Sequence, residues 1–101
     1  MLLYNITISL DNEICEECIL WLKTDIIPLI MQTGYFTSFQ MWKLLLAEEQ
    51  ENTTYALQFQ CENPALLNDY LKKWAPTFQA KIDEKYKDKY VIFRTLLEEV
   101  K

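Results

Sequence analysis

The chain has 101 residues, of which half are hydrophobic and 14% aromatic. That is enough apolar material for one core without a metal or a disulfide framework, so a single domain over residues 1–101 is expected. Fifteen acidic residues against ten basic ones give a net charge of -5, which disfavours non-specific binding to nucleic acid or anionic lipid.

One glycine and three prolines leave no room for a flexible linker. "MLLYNITISL" lacks the basic start and small-residue cleavage site of a signal peptide. The longest uncharged stretch, Ile26 to Trp42, is broken by Pro28 and Gly34, so no membrane span is expected. A cytoplasmic location follows as the expectation, and the glycosylation patterns at Asn5 and Asn52 are read as chance matches.

In chain order, Leu2, Tyr4, Ile6, Ile8 and Leu10 alternate with Leu3, Asn5, Thr7 and Ser9, the period of a strand with one buried face. Asp11 or Asn12 can cap the helix that follows. Its apolar stripe is Cys15, Cys18, Ile19, Leu22, Ile26, Leu29 and Ile30, and Pro28 predicts a kink or restart near Asp25. Gly34 is the expected stop.

A second strand is predicted from about Phe36 to Ala47 and a third from about Thr53 to Cys61. They are joined by the acidic loop "EEQEN", where Asn52 is a candidate for a positive-φ position. Asn63-Pro64 reads as a cap and first turn. The second helix then buries Leu67, Tyr70, Leu71, Trp74, Phe78 and Ile82, with an interruption at Pro76. "YVIFRTLLEEV" is the fourth strand.

The order β-α-β-β-α-β is that of an α+β, ferredoxin-like protein: a four-stranded antiparallel sheet, order 4-1-3-2, with both helices on one face. The opposite face then needs a cover. Its central strands offer Asn5, Thr7 and Ser9, and Thr54, Ala56, Gln58 and Gln60, whereas the second and fourth strands are apolar on both sides. Strands of that kind are normally buried twice. A second copy meeting the open sheet face is the simplest cover, and the homodimer would enclose a polar pocket.

Cys15 and Cys18 lie three apart within the helical stripe and are read as core; the adjacent Glu16 and Glu17 oppose thiolate formation. With Cys61 they are still one ligand short of a zinc site, and the chain has no histidine, so neither metal nor cofactor is expected. The same absence removes Ser-His and Cys-His nucleophile pairs, and no catalytic residue is assigned. "KIDEKYKDKY" has nearly balanced charge and reads as a solvated helix end. Trp21 and Leu20, off the main stripe, widen the buried face or make a second contact.

Arg94 stands alone in an apolar strand. The favoured reading is a structural ion pair with Glu62 or Glu98, within the chain or across the dimer; the functional one places Arg94 and Tyr90 in the pocket with Asn5, Thr7 and Gln58, holding a small carboxylate or apolar metabolite.

"YNITI", "WLK", "IPLIMQTGYFTS", "TTYALQF", "YLKKWAP" and "FRTLLEE", spread from end to end, resemble a bacterial family of small proteins catalogued as a domain of unknown function. The resemblance implies the dimeric α/β-barrel version of the ferredoxin-like fold. It also implies histidines just before "IP" and after "AP", where this chain has Ile26 and Ile82, so any site built on them is missing or altered here. Related barrels include monooxygenases that use no cofactor, haem enzymes and ligand-binding proteins, and fold alone does not choose among them. The leading expectation is a homodimeric, non-enzymatic ligand-binding or regulatory module. The alternatives are a cofactor-independent, monooxygenase-like enzyme in which Tyr90 or Arg94 polarises the substrate, and a structural partner subunit.

Overall fold

The computed structural model describes residues 1–45 and 51–101. Strand β1 (Leu2–Asp11) runs directly into helix α1 (Asn12–Trp21). A π-helical turn over Leu22–Ile26 joins α1 to α2 (Ile27–Gln32). Strands β2 (Ser38–Lys43) and β3 (Asn52–Cys61) follow, then α3 (Pro64–Lys73), α4 (Ala75–Tyr86) and β4 (Tyr90–Glu98). The sheet order is β2-β3-β1-β4 and every pairing is antiparallel, which is the ferredoxin-like arrangement expected from the element order.

The alternation in β1 sends Tyr4, Ile6, Ile8 and Leu10 into the core beneath the helices. Leu57, Phe59 and Cys61 of β3 lie on the same side. From the helices come Cys18, Leu22, Ile26, Leu67, Tyr70, Phe78 and Ile82. At one end an aromatic cluster closes the layer: Phe36 lies 4.7 Å from Tyr70 and 5.1 Å from Phe59 between ring centroids, and Tyr4 contacts all three. Phe36 is therefore core, not the first residue of the second strand. That strand begins two residues later at Ser38, and Leu46, Ala47 and most of the "EEQEN" loop lie outside the described residues.

Each proline acts where the sequence places it. Pro28 has no N–H to offer the carbonyl of Thr24, so the helix widens ahead of it and Ile27 N–H bonds the Leu22 carbonyl five residues back. The extra residue rotates the buried stripe: Ile27 replaces the expected Leu29, which is exposed. Pro76 likewise starts α4 after a break at Trp74, which ends up half-exposed and stacked on Phe78.

Gly34, at φ +84°, terminates α2. Asn52 does not take the positive-φ role: it is the first residue of β3, paired with Asp11, and among the described residues the non-glycine with positive φ is Asp88. Asp11 does not cap α1 through its side chain either, because it remains part of β1, its N–H bonded to the Lys89 carbonyl.

Asn63 is the helix cap expected of it, its Oδ1 accepting from Leu66 N–H at 3.0 Å. Asn63→Ala should cost about 1 kcal/mol, read as a lower urea midpoint at unchanged slope.

Candidate functional site

Register decides which candidate residues meet. Ile6 pairs with Arg94 and Leu10 with Tyr90, so both side chains lie on the helix side of β4. Asn5 pairs with Gln58, and Thr7 with Ala56, on the opposite face. The five residues proposed for one pocket are thus divided by the sheet into two sites: Asn5, Thr7 and Gln58 on the open face, Tyr90 and Arg94 under the helices.

On the open face, Asn5 Nδ2 donates to Thr7 Oγ1 at 3.1 Å, and Asn5 Oδ1 is buried with no hydrogen-bond partner among the described residues. Thr54 donates to Ser9 at 3.2 Å beside them. This polar strip is flanked by apolar side chains. Phe93 is 65% exposed and Val91 52% on β4, and Trp42 54% on β2, with Leu97 at the end of β4. Residues 91, 93, 95 and 97 oppose Ser9, Thr7, Asn5 and Leu3, so the whole β4 row shares that face.

On the helix side, Arg94 is not held by an acid. Within the chain, the ion pairs expected with Glu62 or Glu98 are absent among the described residues: Glu98 lies at the far end of β4 opposite Leu2, and Glu62 beyond the end of β3. Instead Arg94 Nε donates to the Tyr4 hydroxyl at 3.0 Å and Nη2 donates to Gln79 Oε1. Gln79 Nε2 donates to the Tyr90 hydroxyl at 2.5 Å, and Tyr90 donates to Asp83. Gln79 Nε2 also donates to Asp83 Oδ1 at 3.5 Å, so a single side chain, Gln79, stands between the guanidinium and that carboxylate.

Burial pushes the hydroxyl pKa values of Tyr4, Tyr70 and Tyr90 upward; for Tyr90 the bond to Asp83 adds to it, and for all three Arg94 pulls the other way. All three stay protonated at neutral pH. The signal for Gln79 was present in the sequence, because it interrupts the apolar stripe Ala75, Phe78, Ile82 and Tyr86 of α4; Tyr4 gave none, being one more large residue in an apolar row.

Behind this relay, between sheet and helices, is an apolar crevice of about 30 Å³ bordered by Ile6, Ile26, Tyr70, Phe78, Gln79 and Arg94. In front of it is a surface basin of about 270 Å³ formed by Leu71, Ala75, Pro76, Gln79 and Arg94. Gln79 and Arg94 stand between the two.

The cysteines are core. Cys15, Cys18 and Cys61 are buried free thiols. Cys15 Sγ contacts the Tyr55 hydroxyl at 3.4 Å, six positions along β3 from Cys61, a separation of roughly 20 Å that puts Cys61 out of reach of a shared metal. Burial pushes the Cys18 thiol up to about 11. A thiol held protonated in the folded chain and freer to ionise when unfolded adds stability that is full below the unfolded pKa and is lost as pH rises through the folded one. Stability should therefore fall between about pH 9 and pH 11, by up to roughly 2–3 kcal/mol from this group. Comparing denaturation of the protein with that of Cys18→Ala across that range checks it, the variant showing the shallower fall. Trp21 makes the second contact, edge-on to Tyr86 at 5.6 Å with the Lys85 ammonium 4.9 Å over its ring, whereas Leu20 is exposed.

The fold and the two faces define a ferredoxin-like α+β protein with a half-covered sheet. The chain belongs to the family described as Domain of unknown function (DUF4286), whose model matches residues 1–100. No curated protein sequence matches it.

Among solved structures, HapK from Hahella chejuensis is similar in fold, with a TM-score of 0.71 at 10% identity, covering 99% of this chain and 93% of that one. An ethyl tert-butyl ether degradation (EthD) family protein from Bacillus halodurans C-125 gives 0.69 at 9% identity, covering 99% and 100%. A dimeric ferredoxin-like protein from an uncultured marine organism gives 0.51 at 11% identity, covering 98% of each chain. No helix among the described residues is long and apolar enough to cross a membrane.

Proposed function

We propose that the protein is a homodimeric, non-enzymatic module that binds a small ligand or serves regulation, its two copies paired through the open sheet face around a polar chamber lined by Asn5, Thr7 and Gln58. The observation that carries this reading is the pattern of exposure on that face. Large apolar side chains stand wet along both edge strands, while the polar strip between them includes a buried, unpartnered carbonyl oxygen at Asn5.

A second copy fits better than another partner because of charge. The chain carries -5, yet the rows Asn5-Thr7-Ser9, Thr54-Ala56-Gln58 and Val91-Phe93-Thr95 contain no charged residue, so two like-charged molecules meet there without repulsion. With Trp42 54% and Phe93 65% exposed, each offers on the order of 100 Å². Val91, Leu97 and the polar strip bring two copies to roughly the 1,200 Å² at which stable interfaces begin. The similar structure described as dimeric supports the same assembly.

A binding role is supported by what the polar groups can do. Asn5, Thr7 and Gln58 are neutral amides and a hydroxyl that donate and accept hydrogen bonds, and with no histidine in the chain they lack a base tuned to neutral pH. Light scattering on the purified chain tests the assembly. Twice the 12.1 kDa chain mass at micromolar concentration is expected, and a stable single-chain mass overturns it.

A further inference from the structure

The helix side of the sheet carries a feature that the paired open face does not use. Arg94 is the only arginine in the chain. Its guanidinium is anchored at two points by neutral acceptors, the Tyr4 hydroxyl and Gln79 Oε1, and no ion pair reaches it among the described residues. Of the roughly five N–H groups on a guanidinium, that leaves three to offer. Beside it lies the basin whose remaining walls, Leu71, Ala75 and Pro76, are apolar. The break between α3 and α4 makes this hollow, since Pro76 begins a new helix where a continuous one would carry further side chains across the gap.

We propose that this basin is a second binding site, internal to each protomer, for a small carboxylate with an apolar body: the carboxylate on the outer edge of Arg94, the body against Leu71, Ala75 and Pro76. A guanidinium already fixed in place at two nitrogens presents its remaining fork to a carboxylate with little entropy left to lose. Gln79 is what keeps the site open to an anion. As an amide it holds Arg94 without neutralising it and directs its own Nε2 to Tyr90 and to Asp83, so the carboxylate of Asp83 is engaged by Gln79 and Tyr90 and makes no ion pair with Arg94 among the described residues. Benzoate, a carboxylate on a small apolar ring, is the probe that matches these walls, and its neutral isostere benzamide lacks the charge.

Benzoate titrated into the full-length protein, followed by amide chemical shifts, is expected to perturb residues around 75–79 and 94 and to saturate with a Kd of roughly 0.1–10 mM. Benzamide should bind at least about tenfold more weakly. Gln79→Glu, nearly the same size, would supply Arg94 with an internal carboxylate and should weaken benzoate at least about tenfold while leaving the fold intact. Arg94→Met should do the same by removing the cation. No saturable shift up to roughly 100 mM benzoate, equal binding of benzamide, or binding unmoved by Gln79→Glu overturns the assignment. The site lies on the other side of the sheet from the dimer face, so its failure leaves the proposed assembly standing, and a monomeric chain leaves this site testable.

Discussion

Phe59→Ala is expected to cost about 3–5 kcal/mol, a large share of the roughly 5–15 kcal/mol by which a folded domain is stable. Phe59 is fully buried at the middle of the aromatic layer, with Phe39 at 4.8 Å, Phe36 at 5.1 Å and Tyr4 at 6.2 Å between ring centroids. Those neighbours are held by three separate elements: β1, β2 and the segment before β2. A cavity there cannot close by moving one side chain, so most of the lost dispersion stays lost. Phe59→Leu, which keeps much of the volume, should cost well under half as much. Urea denaturation at one fixed protein concentration separates the two, since pairing would make stability depend on concentration. A loss below about 1 kcal/mol for the alanine variant would show that this layer is not the packed core of the molecule.

The second large effect is on assembly. Phe93→Glu is expected to turn the proposed dimer into a folded monomer, weakening association at least about 100-fold. Phe93 faces away from the helices, opposite Thr7, and is largely exposed within its own protomer, so the protomer itself should change in stability by no more than about 0.5 kcal/mol. In a two-fold pair every substitution appears twice, and the interface would have to desolvate both carboxylates on a face with no basic residue in the neighbouring rows. Light scattering combined with circular dichroism reads both halves of this expectation. A variant that remains dimeric would place the contact elsewhere on the molecule, and one that unfolds would show Phe93 to belong to the protomer's own core.

Tests at Asn63, Cys18 and Arg94 probe smaller and separate features, and they differ in how much of their basis lay in the sequence. Asn63-Pro64 is a local signal, because a cap and the first turn of a helix involve only residues a few positions apart. The same holds for Gly34 and for both helix interruptions, which are set by the geometry of single residues. The burial of Cys15 and Cys18 follows from helical spacing alone.

Arg94 shows where such signals stop. Its isolation in an apolar strand marked it, and its sharing a face with Tyr90 followed from the period of two. Which face that was could not follow. β4 is apolar on both sides, so sliding it by one position against β1 would exchange the two rows at little cost in hydrophobicity. Only the pairing of Ile6 with Arg94 puts the guanidinium under the helices, beside Gln79 fifteen residues earlier and Tyr4 ninety residues earlier.

The amino-acid sequence by itself determined the kind and order of the elements and the face of β1 that is buried, because these rest on periodicity and on the conformational limits of proline and glycine. The tertiary structure decided the register of β4, the shift of the stripe from Leu29 to Ile27 and the removal of Phe36 from β2 into the core. Each of those turns on a contact between segments far apart in the chain, and when both alternatives bury similar apolar surface, only simultaneous packing of all the elements separates them.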